Sequence, residues 1–538
     1  MSEATGGIVR EQGEFDQQPR DAEGTRARRK VWMPRVIGLV AALLVYALLG
    51  TSELSRDARV VAAVATLMAI WWMTEAIPLS VTSLLPIILF PLLTARTVAE
   101  STAPYANPIV FLFLGGFLIA IAMQKVNLHR RIALLTLHAV GTHPRQIVLG
   151  MMISTAFLSM WVSNTATTLM MLPIALSVLT LVAENSDRAK GTAIDVRSGL
   201  AAGHKVSDLI HDKEVRTFGV GLVLAIAWSA SIGGLGTLLG SPPNAIVAGY
   251  ISKELGKQVG FAQWMMLGVP IVVAFIALAW LLITRVLFRF KLDDVPGGKQ
   301  MIEDELAQLG PMSRGEKSVR LVFILAALCW IVPSLLSNVG DLATTLPWLR
   351  LFNDTVVALT AGLLLFLLPG GKPGSAVLDW KDAEEGLPWG VLLLFGGGLS
   401  LAASVAASGL DKWFGQQVLG LGVLPIVALI AAVTLIVLFL TEITSNTATA
   451  ATFIPILGGV ALGIGTDPMT LLIPAALAAT CAFMLPVGTP PNAIVFGTGA
   501  VSIAEMARDG FLLNVLGVVL ITMFTVLIGP WALGLVIR

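Results

Sequence analysis

The stretch WVSNTATTLMMLP, residues 161–173, decides how this chain reads. It lies inside an apolar run, 147–183, yet its centre is Ser163, Asn164, Thr165, Ala166 and Thr167, all small and uncharged. A bilayer core offers no water to unpaired backbone groups, so irregular polar chain at that depth must face protein or a water-filled cavity. The same five residues return at 445–449, an offset of 282, and a proline follows each serine by ten positions, at Pro173 and Pro455. Upstream, FLFLGGFLIA (111–120) pairs with LLFGGGLSLA (393–402) at the same offset. Downstream, GSPPNAIV (240–247) returns as GTPPNAIV (488–495) at an offset of 248. The 34 residues lost equal the length of a charged segment, 184–217, with no counterpart in the second half. Three motifs in one order, with one insert explaining the change of spacing, mark an internal duplication.

Composition agrees with a membrane setting. Of 538 residues, 56% are hydrophobic and 13% charged, against about 25% charged in soluble proteins. Mean hydropathy is +0.84, so much of the surface must meet lipid. A net charge of +1 lacks the concentrated basic surface that nucleic acid requires. Cys329 and Cys481 lie in apolar runs, with neither disulfide nor metal-site spacing. There is no HExxH and no nucleophile–histidine pairing, and all five histidines fall between apolar runs. The chain therefore reads as a non-enzyme without a covalent cofactor.

Basic residues orient the chain. Lys and Arg gather in 1–35, 124–146, 184–217 and 285–320, and the excess of positive charge marks cytoplasmic segments. Residues 1–34 read as a disordered cytoplasmic tail and 35–57 as the first transmembrane helix. Repeat 1 spans 58–290 and contains a hairpin, 147–183, which is too short for two clean spans and has cytoplasmic chain at both ends. It is therefore expected to be re-entrant, turning at Ser163–Thr165, and to be followed by the cytoplasmic insert 184–217. A cytoplasmic linker at 291–317 carries a short helix at MIEDELAQL. Repeat 2 spans 318–538, with its own hairpin at 423–465. Each repeat holds an odd number of full crossings, so the copies are expected to be inverted. The expected fold is an all-α polytopic membrane protein with two re-entrant helical hairpins. Trp71, Trp72, Trp348, Trp380, Trp389 and Trp531 read as interface anchors, and 125–140 as an amphipathic surface helix.

Inverted repeats with broken helices are the hallmark of secondary transporters, whose sites lie where matching interruptions meet. Here these are the two SNT tips and the two G-[ST]-P-P-N breaks. Paired prolines bar regular helix and free carbonyls that suit a small cation, while half-helix N-termini favour an anion. Ser and Thr hydroxyls and Asn amides both donate and accept, and neither motif contains Lys or Arg. A neutral site of this kind binds a dianion weakly unless cations accompany it. Glu75 and Glu442 are the ionisable residues inside the apolar runs. A structural carboxylate is the simpler reading of each, with proton coupling as the alternative for Glu442.

Duplicated SNT motifs, each followed by a PPN break, together with TEAIPL (74–79), resemble the divalent-anion/sodium symporter family, the dicarboxylate–citrate–sulfate carriers. The resemblance runs from about residue 35 to the C-terminus. It implies about eleven transmembrane helices, an elevator-type motion, a homodimer in the cell membrane and sodium as coupling ion. It places substrate at Ser163, Asn164, Thr165, Ser241, Ser445, Asn446, Thr447, Thr489 and Pro490. One sodium site would use Ser159, Ser163, Asn164 and Gly240; the other would use Thr441, Thr444, Asn446 and Gly488. The expected function is sodium-coupled symport of a divalent anion, a C4-dicarboxylate such as succinate or malate. Citrate or sulfate transport, sodium-independent exchange and, less well supported, an anion channel remain as alternatives. The basic insert and the polar tail are features on which the family pattern is silent.

Overall fold

The computed structural model describes residues 18–190, 210, 212–290, 292, 298–337, 352–371, 374–417 and 424–537. Among them the chain is helical, and its sole β feature is an isolated antiparallel bridge between Pro369 and Ala376. Among the described residues, ten helices are long and apolar enough to cross a bilayer. Lipid rather than water explains their outward faces: Leu43 is 69% exposed, Leu48 72% and Leu527 69%, a density of bare apolar surface that soluble monomers avoid.

Two deeply buried helices form the centre. In Lys213–Gly233 every residue from Phe218 onward is buried, as is every residue of Met469–Thr480. A helix apolar on all sides belongs in the interior. Both stop where the chain unwinds, and a shorter helix then resumes, Pro242–Glu254 after the first and Pro490–Gly497 after the second. Beside them stand two helical hairpins. The first pairs Pro144–Ser159 with Asn164–Lys190, and the second pairs Ile426–Thr441 with Asn446–Gly463. The helices Pro108–Lys125 and Trp389–Ser408, which carry the glycine-rich motifs, complete the arrangement.

Several boundaries differ from the sequence expectation. The first helix runs from Gln18 to Leu48 and ends in a short 3-10 turn at Leu49–Thr51. It thus begins inside the stretch read as a disordered tail and stops before residue 57. Ala, Glu, Arg and Lys within 18–30 are good helix formers, and they extend the apolar span. Residues 1–17 lie outside the described residues. The next helix starts at Arg56, capped by Ser55. The first hairpin opens at Pro144 because His143 caps it with Gln146 reciprocating; its turn lies at 160–163, just before the SNT asparagine. Both edges of the insert 184–217 are helical, up to Lys190 and from Lys213, and 191–209 lies outside the described residues. The linker helix is Gly298–Leu309. The following helix starts at Arg314 because Ser313 and Glu316 cap it reciprocally.

Trp72 is no interface anchor. It is fully buried, and its Nε1 donates to Leu79 O and Ser83 Oγ, each at 3.2 Å. Trp380 and Trp531 are exposed at 66% and 74%, and Trp348 lies outside the described residues.

Candidate functional site

The hairpin tips and the helix breaks converge on one cavity of about 450 Å³. All nine residues expected to meet substrate line it: Ser163, Asn164, Thr165, Ser241, Ser445, Asn446, Thr447, Thr489 and Pro490. None of its lining side chains is acidic, basic or histidine. A wall that the sequence reading missed closes the other side, with Phe113, Phe117 and Gln124 on one face of Pro108–Lys125, and Pro388 and Val391 beside them. The helical spacing of Phe113, Phe117 and Gln124, which starts in the repeated FLFLGGFLIA segment (111–120) and runs past it, was the available signal. Thr480 Oγ1 donates to Ser241 Oγ at 3.0 Å, so the two breaks touch.

Each break is held open by its own motif. Asn244 Nδ2 donates to Gly234 O and Thr237 O, both at 2.8 Å. Asn492 Nδ2 does the same for Ala482 O and Leu485 O, both at 3.1 Å. The PPN asparagines thus fasten unwound carbonyls: Thr237 O and Leu485 O also accept from Gly240 N and Gly488 N at 3.3 Å, whereas Gly234 O and Ala482 O rely on the asparagine, and a buried carbonyl left unpaired costs about 1–3 kcal/mol. The remaining anchors differ between the halves. In the first, Thr237 Oγ1 accepts from Gly240 N and donates to Met160 O, and Trp264 Nε1 donates to Leu235 O at 3.0 Å. In the second, the buried Glu442 carboxylate accepts from Phe483 N (2.7 Å), Met484 N (3.0 Å), Leu485 N (3.0 Å) and Asn514 Nδ2 (2.8 Å). Trp228 Nε1 completes it by donating to Phe483 O at 3.0 Å. Glu442 therefore has a structural task. Glu75 is exposed, caps Arg56–Thr74 in the left-handed conformation and does not line this cavity.

Behind each tip lies a knot of neutral oxygens. In the first, Ser159 Oγ lies 2.7 Å from both Ala230 O and the Asn164 amide. Turned with its nitrogen inward, that amide reaches Ala230 O and Gly240 O at 3.1 Å. In the second, Thr441 Oγ1 lies 2.8 Å from the Asn446 amide and 3.0 Å from Ala479 O. The Asn446 nitrogen, likewise turned inward, reaches Gly488 O at 3.1 Å and Ala479 O at 3.2 Å. The carbonyls of Ala230 and Ala479 are members that no side-chain motif announces. Ser163 Oγ instead accepts from Ala166 N at 3.3 Å, and Thr444 Oγ1 bonds Leu440 O and Thr449 Oγ1. Hard oxygens in this arrangement suit a small cation. Among the described residues no three His, Cys, Asp or Glu side chains gather at a metal-binding spacing, so a cation here would be held without protein charge.

The anion-favouring helix ends are those of the hairpin return arms rather than those after the PPN breaks. Pro242–Pro243 and Pro490–Pro491 occupy the first two positions of their helices, where proline has no N–H to give. The return arms begin at Asn164 and Asn446 with ordinary first-turn amides, and the Ser445 side chain makes no capping bond. Their N-termini lie at the cavity wall, where the helix dipole favours negative charge.

A family model described as the sodium:sulfate symporter transmembrane region matches residues 29–536. The chain belongs to that family. The sodium-dependent dicarboxylate transporter SdcS of Staphylococcus aureus, from strains bovine RF122 / ET3-1 and MRSA252, is 41% identical over 503 residues, which cover 93% of this chain and 91% of the relative. The YdaH transporter of Alcanivorax borkumensis superposes with a TM-score of 0.50 at 13% identity, covering 88% of this chain and 98% of that one. At that identity the likeness concerns the fold alone. Family membership and ten apolar helices make this member an integral membrane protein of a transporter family.

Proposed function

We propose that the chain is a secondary active transporter coupling sodium to the symport of a C4-dicarboxylate such as succinate or malate. The observation that carries this reading is the pairing, around one uncharged cavity, of two SNT tips each backed by an oxygen knot. Hydroxyls, amides and helix ends hold a dianion loosely. A sodium ion about 5 Å from a carboxylate adds roughly 3 kcal/mol at an effective dielectric constant of about 20. Each ion thus supplies what the other needs, which is coupling. Ser163, Asn164, Thr165 and Ser445, Asn446, Thr447 donate to the carboxylates, with Ser241, Thr489 and Pro490 completing the surface. Sodium is held by Ser159, Ser163, Asn164 and Gly240 with Ala230, and by Thr441, Thr444, Asn446 and Gly488 with Ala479.

A second cavity of about 450 Å³ supports alternating access. Leu112 and Leu238 line it, while their neighbours Phe113 and Leu239 line the first. The helix Pro108–Lys125 and the break at Leu238–Gly240 thus border both cavities. The same reading carries inverted repeats, an elevator motion, a homodimer and a cytoplasmic N-terminus in the cell membrane. The names of the 41%-identical relatives favour dicarboxylate over sulfate.

Radiolabelled succinate should enter proteoliposomes under an inward sodium gradient, and equal uptake in choline would overturn the coupling. Unlabelled malate should compete. If sulfate or citrate blocks uptake and malate does not, the substrate assignment falls while sodium symport stands.

A further inference from the structure

Asn164 and Asn446 share an unusual environment. Each amide can present either of its two atoms to an oxygen knot. With oxygen inward, Asn164 Oδ1 and Asn446 Oδ1 each face carbonyls and a single hydroxyl; with nitrogen inward, the two protons of each Nδ2 come within reach of three oxygens. For Asn164 these are Ser159 Oγ at 2.7 Å and Ala230 O and Gly240 O at 3.1 Å. For Asn446 they are Thr441 Oγ1 at 2.8 Å, Gly488 O at 3.1 Å and Ala479 O at 3.2 Å. The hydroxyls cannot remove the conflict. Ser159 and Thr441 each own one proton, and each oxygen also stands within hydrogen-bond range of a carbonyl, Ala230 O at 2.7 Å or Ala479 O at 3.0 Å.

The two orientations therefore belong to two ionic states. Without a cation, nitrogen inward gives each knot the donor it lacks, at the cost for Asn446 of the 3.4 Å bond that its outward Nδ2 otherwise donates to Thr480 O. With a cation in the knot, an inward N–H₂ meets positive charge, and oxygen inward adds a ligand. The amide is planar, so whichever atom turns inward, the other turns away from the knot. Asn164 and Asn446 both line the cavity and are neither buried nor fully exposed.

We propose that Asn164 and Asn446 are sodium-set polarity switches, each turning its amide oxygen toward the cavity when its knot is empty and its N–H₂ toward the cavity when sodium is bound. Without sodium the anion would meet two extra carbonyl dipoles of the wrong sign. With sodium it meets two extra donors. Coupling is then more than Coulomb attraction between bound ions, because the same side chain that ligates the cation reverses what it offers the anion. The proposal rests on the symport reading and adds a device to it.

The test follows the side-chain amide signals of ¹⁵N-asparagine-labelled protein, with Asn164 and Asn446 assigned by their loss in Asn164→Asp and Asn446→Asp. In choline both N–H₂ groups should exchange slowly with water. In sodium they should exchange faster by about tenfold, the equivalent of one lost hydrogen bond, and succinate should slow them again. Ordinary ligand binding tightens a site and would slow exchange, so the direction discriminates. Unchanged or slower exchange in sodium, while sodium still raises the thermal unfolding temperature, overturns the switch and leaves symport intact. If sodium does not stabilise the protein at all, the symport reading itself fails. Asn446→Asp supplies a second arm, since it keeps an inward oxygen but offers no outward donor. Its unfolding temperature should still rise with sodium, and the further rise on adding succinate should be lost. A wild-type response to succinate would overturn the proposal.

Discussion

The two hairpin-and-break assemblies reach one geometry with different chemistry. At the tips they match atom for atom: a hydroxyl at 159 or 441, an amide at 164 or 446, and two carbonyls from each broken helix. Behind the tips they part. The first break is held by neutral groups, Thr237 on Met160 O and Trp264 on Leu235 O, whereas the second is held by the Glu442 carboxylate on three successive N–H groups. Identity at the oxygen knots, beside divergence where the backbone is merely supported, teaches which features chemistry demands. A cation site tolerates little change in ligand type and distance, while an unwound segment needs only that its polar groups find partners.

The largest expected effect tests the shared part. Asn164→Ala or Asn446→Ala removes donors and an acceptor together, and each should lower sodium-driven succinate uptake by about 100-fold or more, given about 1.5–3 kcal/mol for each bond to a charged group. Near-normal uptake by folded protein from either variant would break the equivalence of the tips.

Next comes the divergent part. Glu442→Ala leaves four buried donors facing nothing, a cost of about 3–5 kcal/mol by analogy with a broken buried ion pair, read as a fall in thermal unfolding temperature. Met160→Ala, at the matching position, removes side-chain packing while its carbonyl stays bonded to Thr237, and should cost about 2 kcal/mol. Equal losses would show that the two supports differ less than their chemistry suggests.

A third change separates the two oxygen knots. A Cβ on Gly234 would lie 2.8 Å from Asn164 Oδ1 and 3.1 Å from Gly240 O. The second assembly carries Ala482 at the corresponding place. Overpacking of this kind costs about 1–3 kcal/mol, so Gly234→Ala should raise the sodium concentration for half-maximal uptake about tenfold, while Ala482→Gly shifts it far less. The smallest effect is expected from Ser159→Ala and Thr441→Ala. Each loses one ligand worth about 1 kcal/mol, a several-fold rise in the sodium requirement. A clear inequality between them would reveal that one knot dominates coupling.

Much of the site was legible as residue types at repeated spacing. SNT and PPN are polar words in apolar text, and their duplication made them stand out. The carbonyls of Ala230 and Ala479 were not legible, because every residue has a carbonyl and only the fold chooses which two face a serine or threonine. The task of the PPN asparagine was half legible: the prolines announce a break, but only the folded chain shows Asn244 and Asn492 turned back to fasten it. The N-terminal extension of the first helix was not legible, since polar helix formers at 18–30 leave no hydropathy signal.

The sequence by itself determined a membrane-embedded, duplicated, all-helical chain with an uncharged polar site, because burial in lipid penalises charge and permits polar breaks only where protein covers them. The tertiary structure alone decided which breaks meet which tips, which carbonyls join each knot, and that the two asparagines stand between knot and cavity. Those choices depend on distances between segments hundreds of residues apart, which packing sets and local pattern does not encode.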